Sequence, residues 1–345
     1  MKILVTGGAG FIGSAFVRRR LAATDDEIIV LDKLTYAGSR SNLAIVENDP
    51  QLAARYRFDQ GDIADAAVVE PLVSEADAVI NFAAESHVDR SILGAEAFLR
   101  TGVIGVHVLL EAVRRRMATA PCRFLQISTD EVYGPIEEGH NREADPPNPR
   151  SPYSAAKAAG EMLARAYAVT HGVDVAITRG ANTYGPHQHP EKLVPLFITN
   201  AITDQPLPLY GDGLQERDWI YVDDHADGVG FVLDHGASGE TYNVPGLTGC
   251  TNRVMTERIL HLLGKPWDLV RSVPDRPGHD RRYAMDGSKL ARLGWQCRVP
   301  LEEGLPRTVE WFVANRDWWM AAKSGDWQEY YERQYGSRLA ESSPA

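Results

Sequence analysis

Six short apolar runs punctuate the chain before residue 180, and the stretches between them carry helical spacing. Lys2-Ile-Leu-Val-Thr6, Glu27-Ile-Ile-Val-Leu31 and Ala78-Val-Ile-Asn-Phe-Ala-Ala84 are continuous enough to be buried strands. Tyr56-Arg-Phe-Asp-Gln-Gly-Asp-Ile63, Phe124-Leu-Gln-Ile127 and Asp174-Val-Ala-Ile-Thr-Arg179 complete the set. Residues 14–21 and 101–116 read as helices, the second with Val103, Val106, Leu109, Leu110 and Val113 at helical spacing. Strands alternating with helices predict an α/β fold, a doubly wound and mostly parallel sheet. After Arg179 the texture changes to polar, proline-rich segments such as Pro206-Leu-Pro-Leu-Tyr-Gly-Asp-Gly213, with one more strand, Thr241-Tyr-Asn-Val244, returning to the sheet. These segments read as a smaller C-terminal α/β domain that binds substrate. The expected division is residues 1–183 plus about 226–250 for the sheet domain and about 184–225 plus 251–333 for the smaller one. A tail over 334–345 follows, frayed from Ala340 on.

The first run opens into Gly7-Gly-Ala-Gly-Phe-Ile-Gly13 and then into a helix. Glycines at 7, 10 and 13 permit a tight turn, close approach to a pyrophosphate and close helix–strand packing, with the helix N-terminus meeting the negative charge. The second strand ends at Asp32, about 20 residues on, where a Rossmann dinucleotide-binding domain places the carboxylate that holds the adenosine ribose. A 2′-phosphate would be repelled there, so the expected cofactor is NAD rather than NADP. Asp62 and Ile63 are placed to flank the adenine.

The fifth run delivers Ser128, Thr129, Asp130 and Glu131 to its C-terminal end, where ligands bind in an open α/β sheet. Some twenty residues later, Ser151 suits an N-cap and Pro152 the first helical position. Tyr153 and Lys157 then share one helix face. Alone, Asp130-Glu131 reads as a solvated turn, and Tyr153 with Lys157 as a surface pair. Beside a nucleotide site they form a set of groups for moving protons. Lys192, Arg217, Arg276, Arg281 and Arg282 are candidates for a diphosphate clamp.

Composition narrows the partners. The net charge of -11 argues against general nucleic-acid or anionic-membrane binding. Cys122, Cys250 and Cys297 lie far apart without metal-ligand spacing and read as reduced thiols of a cytoplasmic protein. His187, His189, His225 and His279 lack metal-site partners at the usual spacing, so no metal is expected. The N-terminal apolar run is broken by Gly7, Gly8 and Gly10, which fits a strand and loop rather than a signal peptide. No apolar stretch is long enough to span a bilayer.

The glycine-rich segment and the Tyr153…Lys157 pair resemble those of the extended short-chain dehydrogenase/reductase superfamily. Within it, the chain is most similar to the dTDP-glucose 4,6-dehydratases. The motifs that carry this are Asp32-Lys-Leu-Thr-Tyr-Ala-Gly38, Ala84-Glu-Ser-His-Val-Asp-Arg-Ser91, Ser128-Thr-Asp-Glu-Val-Tyr-Gly134, Gln188-His-Pro-Glu-Lys-Leu193, Arg217-Asp-Trp and Asp275-Arg-Pro-Gly-His-Asp280. The resemblance implies cofactor contacts from Gly7, Gly10, Phe11, Ile12, Gly13, Asp32, Lys33, Leu34, Thr35, Gly38, Asp62 and Ile63. Phe82, Ala83, Ala84, Ser86, Thr101, Tyr153, Lys157 and Asn182 complete that set. It implies substrate contacts from Ser86, His87, Thr129, Asp130, Glu131, Asn182, Lys192, Leu193, Pro208, Leu209, Tyr210, Arg217, Asn252, Arg276 and His279. Two departures stand out. Gly102 replaces the family's asparagine, removing a hydrogen bond expected beside the site, and Gly180-Ala181 replaces bulkier or polar residues before Asn182.

The implied reaction has three stages. Tyr153, assisted by Lys157, takes the proton of the sugar C4 hydroxyl as C4 is oxidised, and Thr129 hydrogen-bonds the C4 oxygen. Glu131 then removes the C5 proton while a protonated Asp130 donates to the leaving C6 hydroxyl. Reduction at C6 and protonation at C5 regenerate NAD. The resemblance also implies a homodimer built on residues 101–116 and the helix that starts near Pro152. The alternatives within enzymes are a UDP-sugar 4-epimerase or a UDP-glucuronate decarboxylase, which need Tyr153, Lys157 and NAD but not the two carboxyl groups. A non-catalytic NAD- or nucleotide-sugar-binding regulator is the alternative of a different class.

Overall fold

The computed structural model describes residues 1–344. Its central sheet has seven strands: β1 (Lys2–Thr6), β2 (Glu27–Asp32), β3 (Tyr56–Gln60), β4 (Ala78–Asn81), β5 (Arg123–Thr129), β6 (Asp174–Gly180) and, later in the chain, β10 (Thr241–Val244). Their order is β10-β6-β5-β4-β1-β2-β3, and every pairing within it is parallel. Side chains alternate between two cores, one on each face. Ile3, Val5, Ile28, Val30, Leu125 and Ile127 enter one, and Leu4, Ile29, Leu31 and Phe124 the other. Burial on both faces explains why these strands read as unbroken apolar runs. Strand order reverses between β1 and β4, so the crevice at that switch point opens beyond the C-terminal ends of the strands.

The remaining strands form two small sheets. β7 (Asn182–Tyr184), β9 (Glu216–Tyr221) and β11 (Thr248–Thr251) make one. β8 (Leu207–Tyr210), β12 (Val270–Val273) and β13 (Ser343–Pro344) make the other. A third core, including Phe197, Leu209, Ile259, Phe312 and Trp319, lies under this lobe. The chain end, expected to fray, instead runs through the helical turn Ser337–Ala340 into β13.

Three expected elements have different limits. β3 stops at Gln60 rather than at the expected Asp62, because the Asp62 carboxylate accepts the Ala64 N–H at 2.9 Å and turns the chain. β4 stops at Asn81, leaving residues 82–87 outside regular structure at the crevice. The helix expected over 101–116 begins as a wide π-type turn, Arg100–Gly105, before regular Val106–Arg116. Gly102 does not face the crevice. A Cβ there would lie 3.2 Å from the Ala156 Cβ, so this glycine allows two helices to approach closely.

The helix Pro152–His171 positions the catalytic candidates. Ser151 caps it in a reciprocal box with Ser154, both bonds at 3.1 Å, and Pro152 takes the first helical position. Tyr153, Lys157 and Glu161 follow at successive four-residue steps. Glu161 is fully buried and receives three bonds from the equally buried Arg179 on β6, at 3.1, 3.1 and 2.6 Å. Arg179 also stacks over the Tyr133 ring at 4.4 Å, and the Tyr133 hydroxyl donates to Asn243 at 2.7 Å. Removing one partner of a buried pair leaves an uncompensated charge. Arg179→Ala should therefore cost about 3–5 kcal/mol of stability, read by denaturant unfolding. Glu161→Leu with Arg179→Met should recover most of that loss. A single variant as stable as the wild type would show that the pair does not hold these elements together.

Candidate active site

The glycine-rich loop has the shape that a dinucleotide pyrophosphate needs. Gly7 sits at φ +68°, and a Cβ there would meet the Ala83 backbone nitrogen at 2.6 Å. At Gly13 a Cβ would fall 2.3 Å from the Gly7 carbonyl oxygen. Gly10 precedes the helix Phe11–Ala23 without any side-chain cap, so the helix N-terminus faces the crevice open. Asp32 at the end of β2 accepts the Ala9 N–H at 2.9 Å and the Leu34 N–H at 2.8 Å, which fixes its carboxylate beside this loop. The residues present thus fit NAD.

One cavity of about 310 Å³ joins this loop to the C-terminal end of β5. Thr129, Asp130, Glu131, Tyr153 and Lys157 all line it. So does every expected cofactor contact except Leu34, which lies at φ +56° and packs against the apolar core. Of the expected substrate contacts, Ser86, Asn182, Lys192 and Leu193 line it. His87, Pro208, Leu209, Tyr210, Arg217, Asn252, Arg276 and His279 do not. Leu209 belongs to the core of that lobe. Arg276 nonetheless reaches Asp89 at 3.1 Å, and Arg276, Lys192 and Arg217 all favour the charged form of Glu131. The other two basic candidates turn away, Arg281 to Asp212 at 2.9 Å and Arg282 to Glu216 at 3.3 Å.

Burial dominates the electrostatics. Asp130 is 3 % exposed, and desolvation followed by the adjacent Glu131 pushes its carboxyl up to about 8. Glu131 is raised as well, by burial, against the pull of the three basic groups. Burial pushes the Lys157 ammonium down to about 8, with Glu161 opposing, while its Nζ donates to the Ile127 carbonyl at 2.6 Å. The Tyr153 phenol is pushed upward by burial, Glu131 and Asp130, and Thr129 opposes this. The expected lowering of the phenol by Lys157 is not seen among the protein's own groups, because the ammonium is turned to a backbone carbonyl. A cationic nicotinamide, when bound, would act on the phenol in the opposite sense.

Glu85, Thr183, Gln188, His189 and His225 line the cavity but were not assigned to the site from sequence. Ser128 Oγ, Asp130 Oδ2, Asn182 Oδ1 and His225 Nε2 are buried without a protein partner, as befits atoms that face a bound ligand. His225 holds Thr183 Oγ1 at 2.8 Å through Nδ1. Its place depends on Gly180, since a Cβ there would lie 2.3 Å from the imidazole Cε1. The second departure from the family pattern therefore makes room for a histidine, a coupling only visible in three dimensions. Arg90 was also missed. Its guanidinium lies between the rings of Tyr36 at 4.0 Å and Tyr330 at 4.1 Å, and pairs with the buried Glu191 at 2.8 Å. Among the described residues, no group of three His, Cys, Asp or Glu side chains is gathered for a metal.

Comparison with known proteins agrees with this geometry. A sequence-family model described as GDP-mannose 4,6 dehydratase matches residues 4–308. The dTDP-glucose 4,6-dehydratase of Streptomyces niveus is 50% identical over 332 residues, covering 94% of this chain and 97% of that protein. The crystal structure of DesIV, a dTDP-glucose 4,6-dehydratase from Streptomyces venezuelae solved with NAD bound, superposes with a TM-score of 0.90 at 50% identity, covering 94% of this chain and 100% of that one. UDP-glucose 4-epimerase from Thermus thermophilus, with NAD, gives 0.83 at 32% identity, covering 91% and 100%. A chain matched so nearly end to end, with the sheet, the glycine loop and the acid pair all in place, belongs to the GDP-mannose 4,6 dehydratase family.

Proposed function

We propose that this chain is an NAD-dependent dTDP-glucose 4,6-dehydratase, a hydro-lyase that converts dTDP-glucose to dTDP-4-keto-6-deoxyglucose and water. The observation that carries the reading is the adjacent pair Asp130-Glu131, the first buried and the second half-buried, just past the end of β5 in the cavity that also holds Tyr153 and Lys157. Neither 4-epimerisation nor decarboxylation needs that pair, so the likeness to an epimerase reflects the shared fold. An intact proton-handling set likewise argues against a non-catalytic regulator.

NAD, when bound, supplies a hydride acceptor for C4 and a hydride donor for C6. The protein's own groups do the rest. Tyr153 takes the C4 hydroxyl proton, and Thr129 hydrogen-bonds the same oxygen. Once C4 is a ketone, the C5 proton is acidic and Glu131 removes it. Asp130, with a value near 8, is still protonated at neutral pH and donates from Oδ2 to the leaving C6 hydroxyl. Two carboxyl groups whose surroundings differ can thus split the acid and base roles. Lys192, Arg217 and Arg276 favour the charged form of Glu131, which suits a base. Ser86, Asn182 and Leu193, which line the cavity, are assigned to hold sugar and diphosphate, with His87, Tyr210, Asn252 and His279 outside the lining in supporting roles.

The chain is also proposed to act as a homodimer in the cytoplasm. Ile104 and Met162, on the two helical segments expected at the interface, are exposed at 49 % and 43 %, and Ile92, Leu93 and Leu99 on the short helices just before the first segment at 38–49 %, apolar surface that suits a partner. The three cysteines are free thiols, and no helix among the described residues is long and apolar enough to cross a membrane. Sedimentation at micromolar concentration should give twice the 38.0 kDa chain mass; a monomer would reject the dimer.

Variants at the three proton-handling positions should stop at different stages in deuterated water. With Tyr153→Phe, neither a C4 ketone nor C5 exchange should form. With Glu131→Gln, quenched samples should hold a 4-keto sugar that keeps its C6 hydroxyl and its C5 proton. With Asp130→Asn, deuterium should enter C5 without loss of water. Each carboxyl change should slow turnover by roughly 10²–10⁴-fold. In the wild type, turnover should fall as pH rises through about 8, because Asp130 loses its donor proton and Lys157 its charge together. Elimination at near wild-type rate in Glu131→Gln would sink the assignment.

A further inference from the structure

The proton account of this reaction does not close on the reacting groups alone. Tyr153 begins as a phenolate and ends with the proton of the C4 hydroxyl. Glu131 takes the C5 proton and ends as it began once C5 is reprotonated. Asp130 begins protonated and ends as a carboxylate, because its proton leaves in the water. After each turnover Tyr153 therefore holds one proton too many and Asp130 one too few. Asp130 is shut away from bulk solvent at 3 % exposure, while Tyr153 is half-buried and faces the cavity.

One side chain joins them. Thr129, the last residue of β5, donates its hydroxyl proton to Asp130 Oδ1 at 3.0 Å. Its oxygen accepts the Glu131 N–H at 3.3 Å, which fixes the hydroxyl direction. Tyr153 lines the same cavity and interacts with this hydroxyl; because the one Thr129 proton is committed to Asp130, the Thr129 oxygen is the acceptor for the phenol O–H. The other Asp130 oxygen, Oδ2, is buried with no protein partner. The carboxyl thus has one oxygen tied to the hydroxyl and one free for the substrate.

We infer that Thr129 is a proton relay that resets the enzyme, carrying the surplus proton from Tyr153 to Asp130 after each turnover. This rests on the dehydratase reading. In the step, the Tyr153 O–H bond breaks as a new Thr129 Oγ–H bond forms, and the old Thr129 O–H bond breaks as an Asp130 Oδ1–H bond forms. No electrons leave or enter and no co-reactant is needed. A half-turn of the carboxyl then carries the proton to the position of Oδ2. The direction follows from charge. When Glu131 has returned its proton to C5, two carboxylates lie side by side out of water, and Asp130 draws a proton to relieve that repulsion.

The test separates one turnover from many. Thr129→Val fills the same space without a hydroxyl and excludes a substitute water; Thr129→Ser keeps the relay. Rapid quench of the NAD-bound Val variant with excess dTDP-glucose should show a burst of one product per site. The first turnover is itself slowed by loss of the hydrogen bond to the C4 oxygen, and a steady rate at least ~10-fold below it should follow, within the range by which acid–base groups act. Wild type and Thr129→Ser should show no burst. Difference infrared spectroscopy gives a second readout: the carboxylic-acid band of Asp130 should vanish after the first turnover in Thr129→Val and return in Thr129→Ser. Thr129→Ala serves as a second test of the fold and the gap, because imidazole should enter and raise its steady rate without changing its burst. Equal slowing of first and later turnovers in Thr129→Val, with no burst, no lasting loss of the band and no imidazole effect in Thr129→Ala, would overturn the relay. The parent reading fails differently, by wild-type enzyme forming no dehydrated sugar at all.

Discussion

The bond from the Lys157 ammonium to the Ile127 carbonyl fastens the long helix to the strand that carries the acid pair. A carbonyl oxygen has two lone pairs, so it can serve both the sheet and this ammonium. The helix repeat does the rest. Tyr153, Lys157 and Glu161 fall four residues apart and so lie along one face. The phenol reaches the cavity, the ammonium anchors to β5, and the carboxylate locks Arg179 of β6. Helix, β5 and β6 are thus pinned at successive turns, and the position of the phenol relative to Thr129-Asp130-Glu131 follows from that pinning.

Having fixed these groups, the fold holds them in the wrong medium for charge. Desolvation is the largest cause acting on Asp130, Glu131, Tyr153 and Lys157 alike. For a carboxyl whose value is raised in the folded chain, the penalty grows as pH climbs from the unfolded value toward the folded one. Near neutrality the site is therefore a local cost in stability, offset by packing elsewhere. That cost is the same fact as the chemistry, because a carboxyl that resists ionisation is an acid at the pH where it works. The C-terminal lobe tilts the pair by presenting Lys192, Arg217 and Arg276 toward Glu131.

Much of this was readable in the chain, for physical reasons that mark its limits. Strands buried on both faces leave unbroken apolar runs, so β1, β2, β5 and β6 were located closely. The glycine loop was legible because only glycine tolerates the approach of Ala83 to residue 7. The Ser151 cap was legible because capping is local. Strand ends at Gln60 and Asn81 were not, since an Asp62 side-chain bond and the crevice itself decide them. Charge alone does not say which way an arginine points, so Arg281 and Arg282 were grouped with Arg217 and Arg276, although acids across the surface hold them. The phenol–ammonium pairing was expected from spacing, yet the ammonium is committed to a carbonyl. Gly102 and Gly180 looked like losses near the site. In the fold, one admits a neighbouring helix and the other a histidine, contacts between residues far apart in sequence.

The chemistry stands on a protonated Asp130 beside a Glu131 whose charged form three basic groups favour. Titrating the Asp130 carboxyl directly, by carbon-13 resonance in protein labelled at aspartate and assigned with Asp130→Asn, measures this. The account predicts a midpoint pushed up to about 8, falling but not reaching the ordinary aspartate range when Glu131 is replaced by glutamine, since burial outweighs the neighbour. A midpoint in the ordinary range of about 4 in the wild type would contradict it, because Asp130 would then have no proton to give at neutral pH.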